Sequence, residues 1–232
     1  MKAVGIVAEY NPFHNGHIYH LKQAKKRTGC EYSVAVMSGN FVQRGEPALF
    51  DKFTRAELAV KCGVDLVLEI PPANAVASAE YFARGSVSIP EATGIVDALC
   101  FGSESGDLRE LKQTARLLLS SEIQEKIRHE MKGGIPVYQA MQKALPCYPS
   151  SPNDILGIEY LKALESRKSR IKPYAIQRIG TGYHDREASG TIASATAVRE
   201  RFAKGEEIGS LLPYDRLPFP AAVEKELEPA LL

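Results

Sequence analysis

Apolar residues in this chain come either in short unbroken runs or at every third or fourth position. Residues 3–8 form the first unbroken run, with Val4, Ile6 and Val7 β-branched, which is the pattern of a strand buried on both faces. Residues 32–37, 64–70, 96–101 and 174–179 repeat it. Between the first two runs, Ile18, Leu21 and Ala24 fall three apart, while Lys22, Lys25, Lys26 and Arg27 take the other faces. That spacing predicts an amphipathic helix over 16–28, stopped by Gly29. Residues 54–61 read as a helix capped by Thr54, with Glu57 completing a capping box. Residues 75–87 and 195–204 also read as helices. Residues 108–132 read as one long helix that faces inward through Leu111, Ala115, Leu118 and Ile123. Ser151 suits the cap of a further helix whose first turn holds Pro152.

Strands that alternate with helices are the signature of βαβ units on a parallel sheet. The expected fold is α/β: a Rossmann-like doubly wound parallel sheet of about five strands with helical additions. Residues 1–210 are expected to form that domain, with a helical insertion over about 107–170. Residues 211–232 carry Pro213, Pro218, Pro220 and Pro229 and read as a tail or the start of a further region. Ligands of such sheets bind beyond the carboxyl ends of the strands.

Charge adds little. Lys and Arg total 29 against 28 for Asp and Glu, a net charge of +1, so bulk charge gives no argument for nucleic-acid binding. Cys30, Cys62, Cys100 and Cys147 lie too far apart for a Cys-x-x-Cys metal site, and scattered thiols suit a reducing compartment. The first apolar run is far too short to span a bilayer. A soluble cytoplasmic protein is expected, with neither a membrane nor DNA as partner.

The chemistry concentrates at two places. Residues 9–17 join the first strand to the first helix and place His14 and His17 three apart around Gly16. Gly16 lets backbone approach a ligand closely, and a helix N-terminus favours anions. Imidazole N–H groups there can donate to phosphoryl oxygens where charge develops in a transition state. The pair also admits a metal site with His20 as a third ligand, or a purely capping role. The second place is residues 192–199, a small-residue loop entering a helix. There Ser194 and Thr196 offer hydroxyls and Arg199 offers a phosphate-gripping guanidinium.

His14-Asn15-Gly16-His17 together with residues 192–199 resembles the nucleotidyltransferase superfamily that carries a His-x-Gly-His signature. More narrowly, residues 5–17 and 37–47 resemble the bacterial tRNA(Met) cytidine acetate ligases. The likeness continues through Lys52, Arg55-Ala56, residues 65–69, 101–104 and 151–153, and Arg178-Ile179-Gly180, so it runs along nearly the whole chain. The resemblance implies that ATP activates acetate to acetyl-adenylate. The acetyl group then passes to the wobble cytidine of elongator tRNA(Met), giving N4-acetylcytidine.

ATP enters this scheme as a substrate, with Mg2+ expected on its phosphates. No metal held by the protein is implied. The implied ATP-binding stretch is Val7, Ala8, Glu9, Tyr10, Asn11, Pro12, Phe13, His14, Asn15, Gly16, His17, Ile18, Tyr19 and His20. Gly102, Asn153, Arg178 and Ile179 complete it. His14 and His17 are expected on the α- and β-phosphates, with Ser194, Thr196 and Arg199 closing on the pyrophosphate. Phe13, Ser38 and Phe41 are the candidates for an acetate pocket. Lys22, Lys25, Lys26, Arg44, Lys52 and Arg55 are the candidates for a tRNA surface. Members of that family are longer than this chain. Two other functions use the same histidines: adenylyl transfer to a phosphorylated small molecule, and nucleotide or RNA binding without transfer.

Overall fold

A computed structural model describes residues 2–43, 45–178 and 193–214. In chain order the elements begin with β1 (Ala3–Ala8), α1 (Asn15–Thr28), β2 (Tyr32–Ser38), α2 (Lys52–Lys61) and β3 (Leu66–Ile70). There follow α3 (Pro72–Ala75), α4 (Ala79–Thr93), β4 (Val96–Ser103), α5 (Leu108–Leu119) and α6 (Ser121–Met131). The last are α7 (Val137–Ala144), α8 (Pro152–Ser166), β5 (Lys172–Gln177) and α9 (Ala195–Ala203), then a 3-10 turn over Gly209–Leu211.

The five strands form one sheet in the order β3-β2-β1-β4-β5, and every neighbouring pair is parallel. On one face Val4, Ile6, Ala35, Met37 and Cys100 pack against Leu21 and Ala24 of α1 and Ala59 of α2. On the other, Val36, Leu99 and Phe101 pack against Phe82 and Val87 of α4 and Ile158 and Leu161 of α8. Leu111, Ala115 and Leu118 of α5 extend that second core. Helices on both faces make this a doubly wound sheet. They also explain why the strands read as continuous apolar runs rather than alternating ones. Chain order reverses direction at β1 and β4, so the crevice beyond their carboxyl ends is the natural ligand position.

Several boundaries differ from the sequence reading, each for a local reason. β3 starts at Leu66 rather than at 64 because Asp65 is otherwise engaged. Its carboxylate accepts the Ser33 N–H at 2.8 Å and the Lys25 ammonium at 2.7 Å, pinning this edge of the sheet. β5 starts at Lys172 and includes Pro173, which an edge strand tolerates because it lacks one row of ladder partners. α2 is capped by Asp51, not Thr54: Asp51 accepts the N–H groups of Phe53 at 2.9 Å and Thr54 at 3.1 Å. The long helix expected over 108–132 is two helices. Ser120 has ψ 143°, outside the helical region, and its hydroxyl accepts the Ile123 N–H to start α6. α7 was not expected; Pro136 before it and the spacing of Val137, Ala140, Met141 and Ala144 are its signals.

Candidate nucleotide-binding site

A cleft of about 440 Å³ opens beyond the carboxyl ends of β1, β4 and β5, a size suited to a small-molecule ligand. The strand ends contribute Ala8, Glu9, Gly102 and Gln177. The start of α1 contributes His14, Gly16, His17 and His20, and α8 contributes Asn153, Leu156 and Tyr160. Ser194, at the start of α9, reaches the same cleft. The two chemical segments of the sequence therefore converge.

The first turn of α1 is built by its own histidines. His14 is the N-cap, and its Nδ1 accepts the Gly16 N–H at 3.0 Å. His17 Nδ1 accepts the His14 N–H at 3.2 Å, so the two residues cap each other. The ring centroids are 3.8 Å apart. With both Nδ1 atoms accepting, each neutral ring carries its proton on Nε2, and that N–H is the donor left for a ligand. Tyr10, just before, adopts φ 48°, a left-handed backbone rare for a bulky residue. Its buried ring packs on those of Phe13 and His17, at 4.6 and 4.9 Å.

Burial holds these imidazoles neutral. The His14 pKa falls to about 4, through burial first and then the nearby Arg178. His17 falls well below the usual histidine value through burial, with His14, His20 and Arg178 adding to it. His20 falls to about 4 because burial outweighs a hydrogen bond with the Phe101 backbone. His20 Nε2 is buried without a hydrogen-bond partner among the described residues.

A stability prediction follows from these shifts. Between the folded value near 4 and the ordinary value of 6.5, the unfolded chain binds more protons at His14 and His20. Stability from this source is complete above pH 6.5 and is lost as the pH falls toward 4. The slope is steepest near pH 5, at about 1.4 kcal/mol per pH unit for each histidine. Urea denaturation at a series of pH values should give this slope, reduced in His20→Leu. An unchanged slope in that variant would contradict it.

A second polar cluster fixes Asn153. Glu104, one residue past β4, accepts the Asn153 side-chain amide and the Asp154 N–H, the latter at 3.0 Å. The α8 start is thus capped by Glu104. The Ser151 hydroxyl, expected in that role, instead donates to Asp154 at 2.8 Å. Asp154 is itself buried and accepts the N–H groups of Glu104 and Ser105, each at 3.1 Å, and the Ser103 hydroxyl. With its NH2 held by Glu104, Asn153 offers its carbonyl oxygen as an acceptor for a nucleotide amine or hydroxyl. Beside this cluster Arg178 packs along Gly102, where a Cβ would lie 3.4 Å from Arg178 Cγ, and its backbone N–H donates to the Ser103 carbonyl at 2.9 Å.

Comparison with known proteins decides the family. The profile of the HIGH Nucleotidyl Transferase family matches residues 1–228. The chain belongs to the HIGH nucleotidyl transferases. It is 48% identical over 227 residues to the tRNA(Met) cytidine acetate ligase of Syntrophotalea carbinolica, covering 92% of this chain and 54% of that protein. It is 47% identical over 220 residues to the protein of the same name from Alkaliphilus metalliredigens, covering 86% and 52%. Among solved structures it matches Thermotoga maritima TmcAL bound with alpha-thio ATP, with a TM-score of 0.84 and 41% identity, over 93% of this chain and 54% of that one. The chain thus spans about half the length of the curated relatives it matches.

Within this HIGH nucleotidyl transferase the cleft sorts the residues singled out from the sequence. All of residues 7–20 line it except Pro12, Phe13, Asn15 and Ile18. Phe13 is fully buried beneath the site, and Asn15 donates to the Ser210 carbonyl at 3.0 Å. Gly102, Asn153 and Arg178 line it, while Ile179 lies outside the described residues. Ser194 lines it and caps α9 by accepting the Ala197 N–H at 3.1 Å. Thr196 and Arg199 do not. Arg199 donates to the Asn11 carbonyl at 2.8 Å and to the Thr196 hydroxyl at 3.3 Å. Arg199 therefore ties α9 to the β1–α1 loop, and Thr196 accepts from Arg199 within α9.

The other assignments change more. Ser38 is fully buried and Phe41 is 44% exposed, and neither they nor Phe13 border the cleft. The basic set does not form one surface. Lys22 and Lys26 are exposed, but Lys25 pairs with Asp65 and Lys52 with Glu69, both at 2.7 Å. Arg44 lies outside the described residues. Arg55 is fully buried and faces backbone carbonyls, so it cannot meet RNA. Among the described residues no group of three or more His, Cys, Asp or Glu is arranged to hold a metal ion, which leaves the His14–His17–His20 metal reading without a ligand set. No helix among them is long and apolar enough to cross a membrane.

Glu104, Asp154, Leu156 and Tyr160 were missed. Glu104 and Asp154 had a faint signal as acidic residues beside Gly102-Ser103 and Asn153.

Proposed function

We propose that this chain is the nucleotide-activating part of an ATP-dependent tRNA(Met) cytidine acetate ligase acting in the cytoplasm. The observation that carries the reading is the meeting of His14, His17 and Ser194 in one cleft, with the imidazole Nε2–H groups as donors. The names of the matched relatives supply the acid and the acceptor.

In the first step an acetate oxygen forms a bond to the α-phosphorus of ATP. The bond from that phosphorus to the bridging oxygen breaks, and pyrophosphate leaves with the electron pair. Such a displacement needs positioning and charge neutralisation more than covalent help. His14 and His17 would donate to the α- and β-phosphates, and the α1 N-terminus would add its positive dipole end. Asn153 and Gly102 would hold the nucleoside end, and Arg178, whose charge acts on His14 and His17, would face the phosphates. Mg2+ would arrive on the phosphates as part of the substrate. In the second step the cytidine N4 amine attacks the acetyl carbonyl carbon. AMP leaves, and the amine gives up a proton.

Pyrophosphate exchange into ATP is expected to depend on acetate and to ignore phosphorylated cofactor precursors. Exchange driven by those precursors instead would point to adenylyl transfer. ATP binding without exchange would leave only a binding module.

A further inference from the structure

The cleft has two flanks of opposite character. Toward α1 stand the imidazoles of His14 and His17, the bare backbone of Gly16 and, across from them, Arg178. Toward α4 and α8 the wall is Val7, Phe82, Phe101, Leu156 and Tyr160, with no cationic side chain. Phe82, Phe101 and Tyr160 are buried, and the rings of the last two lie 5.7 Å apart. Phe101 is held in place by Gly157, where a Cβ would come within 2.6 Å of the ring. Glu9 stands at the edge of this niche, its carboxylate accepting the Gln43 N–H at 3.1 Å. An apolar hollow beside a carboxyl group repels a polyphosphate, so the triphosphate belongs on the α1 flank.

Direction follows from the chemistry. In phosphoryl and nucleotidyl displacement the attacking and leaving oxygens lie roughly in line through phosphorus. Pyrophosphate leaving on the flank of Arg178 and the imidazole N–H groups requires the acid to attack from the opposite one. Its alkyl end then points into the hollow.

We infer that the niche between α4 and α8 holds the alkyl end of the carboxylic acid substrate, and that Leu156 sets its length at two carbons. The inference rests on the acid-activating reading above. Leu156 is chosen because it is only partly buried and stands on a helix, whereas Phe82, Phe101 and Tyr160 are buried and Val7, also partly buried, is fixed within the central strand β1. It stands one helical turn after Asn153 on α8.

The test compares wild type, Leu156→Ala and Leu156→Phe in pyrophosphate exchange with acetate, propionate and butyrate. ATP affinity is measured separately by calorimetry without acid. Leu156→Ala should raise the propionate-to-acetate ratio of kcat/KM by on the order of tenfold, the worth of one methylene in an apolar pocket. Leu156→Phe should raise KM for acetate, and both variants should keep wild-type ATP affinity. Weakened ATP affinity with an unmoved acid ratio would overturn the inference and put the base in the niche. Binding of acetyl- and propionyl-sulfamoyl adenosine reads the niche without turnover. A shifted preference there in Leu156→Ala would support the niche even if wild type showed no exchange, in which case only the activation reading would fall. An unshifted preference would overturn the niche alone.

Discussion

His14→Asn and His17→Gln are expected to leave the protein folded while lowering acetate-dependent exchange by about a hundred- to a thousandfold each. The choice of replacement matters because both histidines also build the start of α1. Alanine at either position would remove a cap worth about 1 kcal/mol and confuse instability with lost chemistry. Asparagine is among the best N-caps, and its side-chain oxygen can accept the Gly16 N–H as His14 Nδ1 does now. Glutamine at the third helical position can accept the His14 N–H in place of His17 Nδ1. Each replacement carries an NH2, but with its oxygen engaged in the cap that NH2 does not take the place the rigid ring gives Nε2–H. The variants therefore subtract the phosphate donor and keep the cap. Urea midpoints within a few tenths of a molar of wild type, with exchange nearly gone, are the expected pair of results. Exchange close to wild type in both variants would reduce the histidines to helix caps.

The parts of this molecule that the sequence made legible are those governed by burial on a large scale. Covering both faces of the sheet turns β1, β2 and β4 into apolar runs, and those runs alternating with helical spacing predicted a parallel α/β fold. The histidine turn was legible because strand, turn and helix are contiguous there. What stayed hidden depended on pairing across long stretches of chain. Arg55 looks like a surface cation until the carbonyls of Glu9, 46 residues away, and Ser38 are seen around it. Glu104 and Asn153 meet across 49 residues. Leu156 and Tyr160 belong to α8, which is buried along most of its length, so its pattern cannot show which side faces a cleft. Thr196 and Arg199 lie in the expected loop but do not line the cleft, because a guanidinium that can grip phosphate can equally hold a carbonyl, here that of Asn11.

Arg55→Met should cost about 3–5 kcal/mol of stability, the range for removing one partner of a buried charged cluster. Arg55 is fully buried near the carboxyl ends of β1 and β2. Its Nε donates to the Phe50 carbonyl at 3.0 Å and one Nη to the Ser38 carbonyl at 3.1 Å. The same guanidinium also bonds the carbonyls of Glu9 and Gly39. Burial lowers its pKa to about 10, against Glu9, Asp51 and Glu69, so it remains charged at pH 7. Methionine can fill much of the space but donates nothing, leaving several buried acceptors unsatisfied at about 1–3 kcal/mol each before relaxation. Arg55→Lys should recover only part of the loss, since a compact ammonium cannot span carbonyls that a planar fork reaches. Against a total stability of about 5–15 kcal/mol, the methionine variant should unfold at a much lower urea concentration. Because Glu9 also borders the cleft, ATP affinity should fall with it, whereas Lys26→Met on the exposed face of α1 should change neither quantity. A surface role for Arg55 requires the reverse: an unchanged urea midpoint, and a log–log salt dependence of tRNA binding shallower by about one. The two outcomes cannot coexist, because a fully buried guanidinium that spends four of its five donors on the carbonyls of Glu9, Ser38, Gly39 and Phe50 cannot reach a phosphate outside.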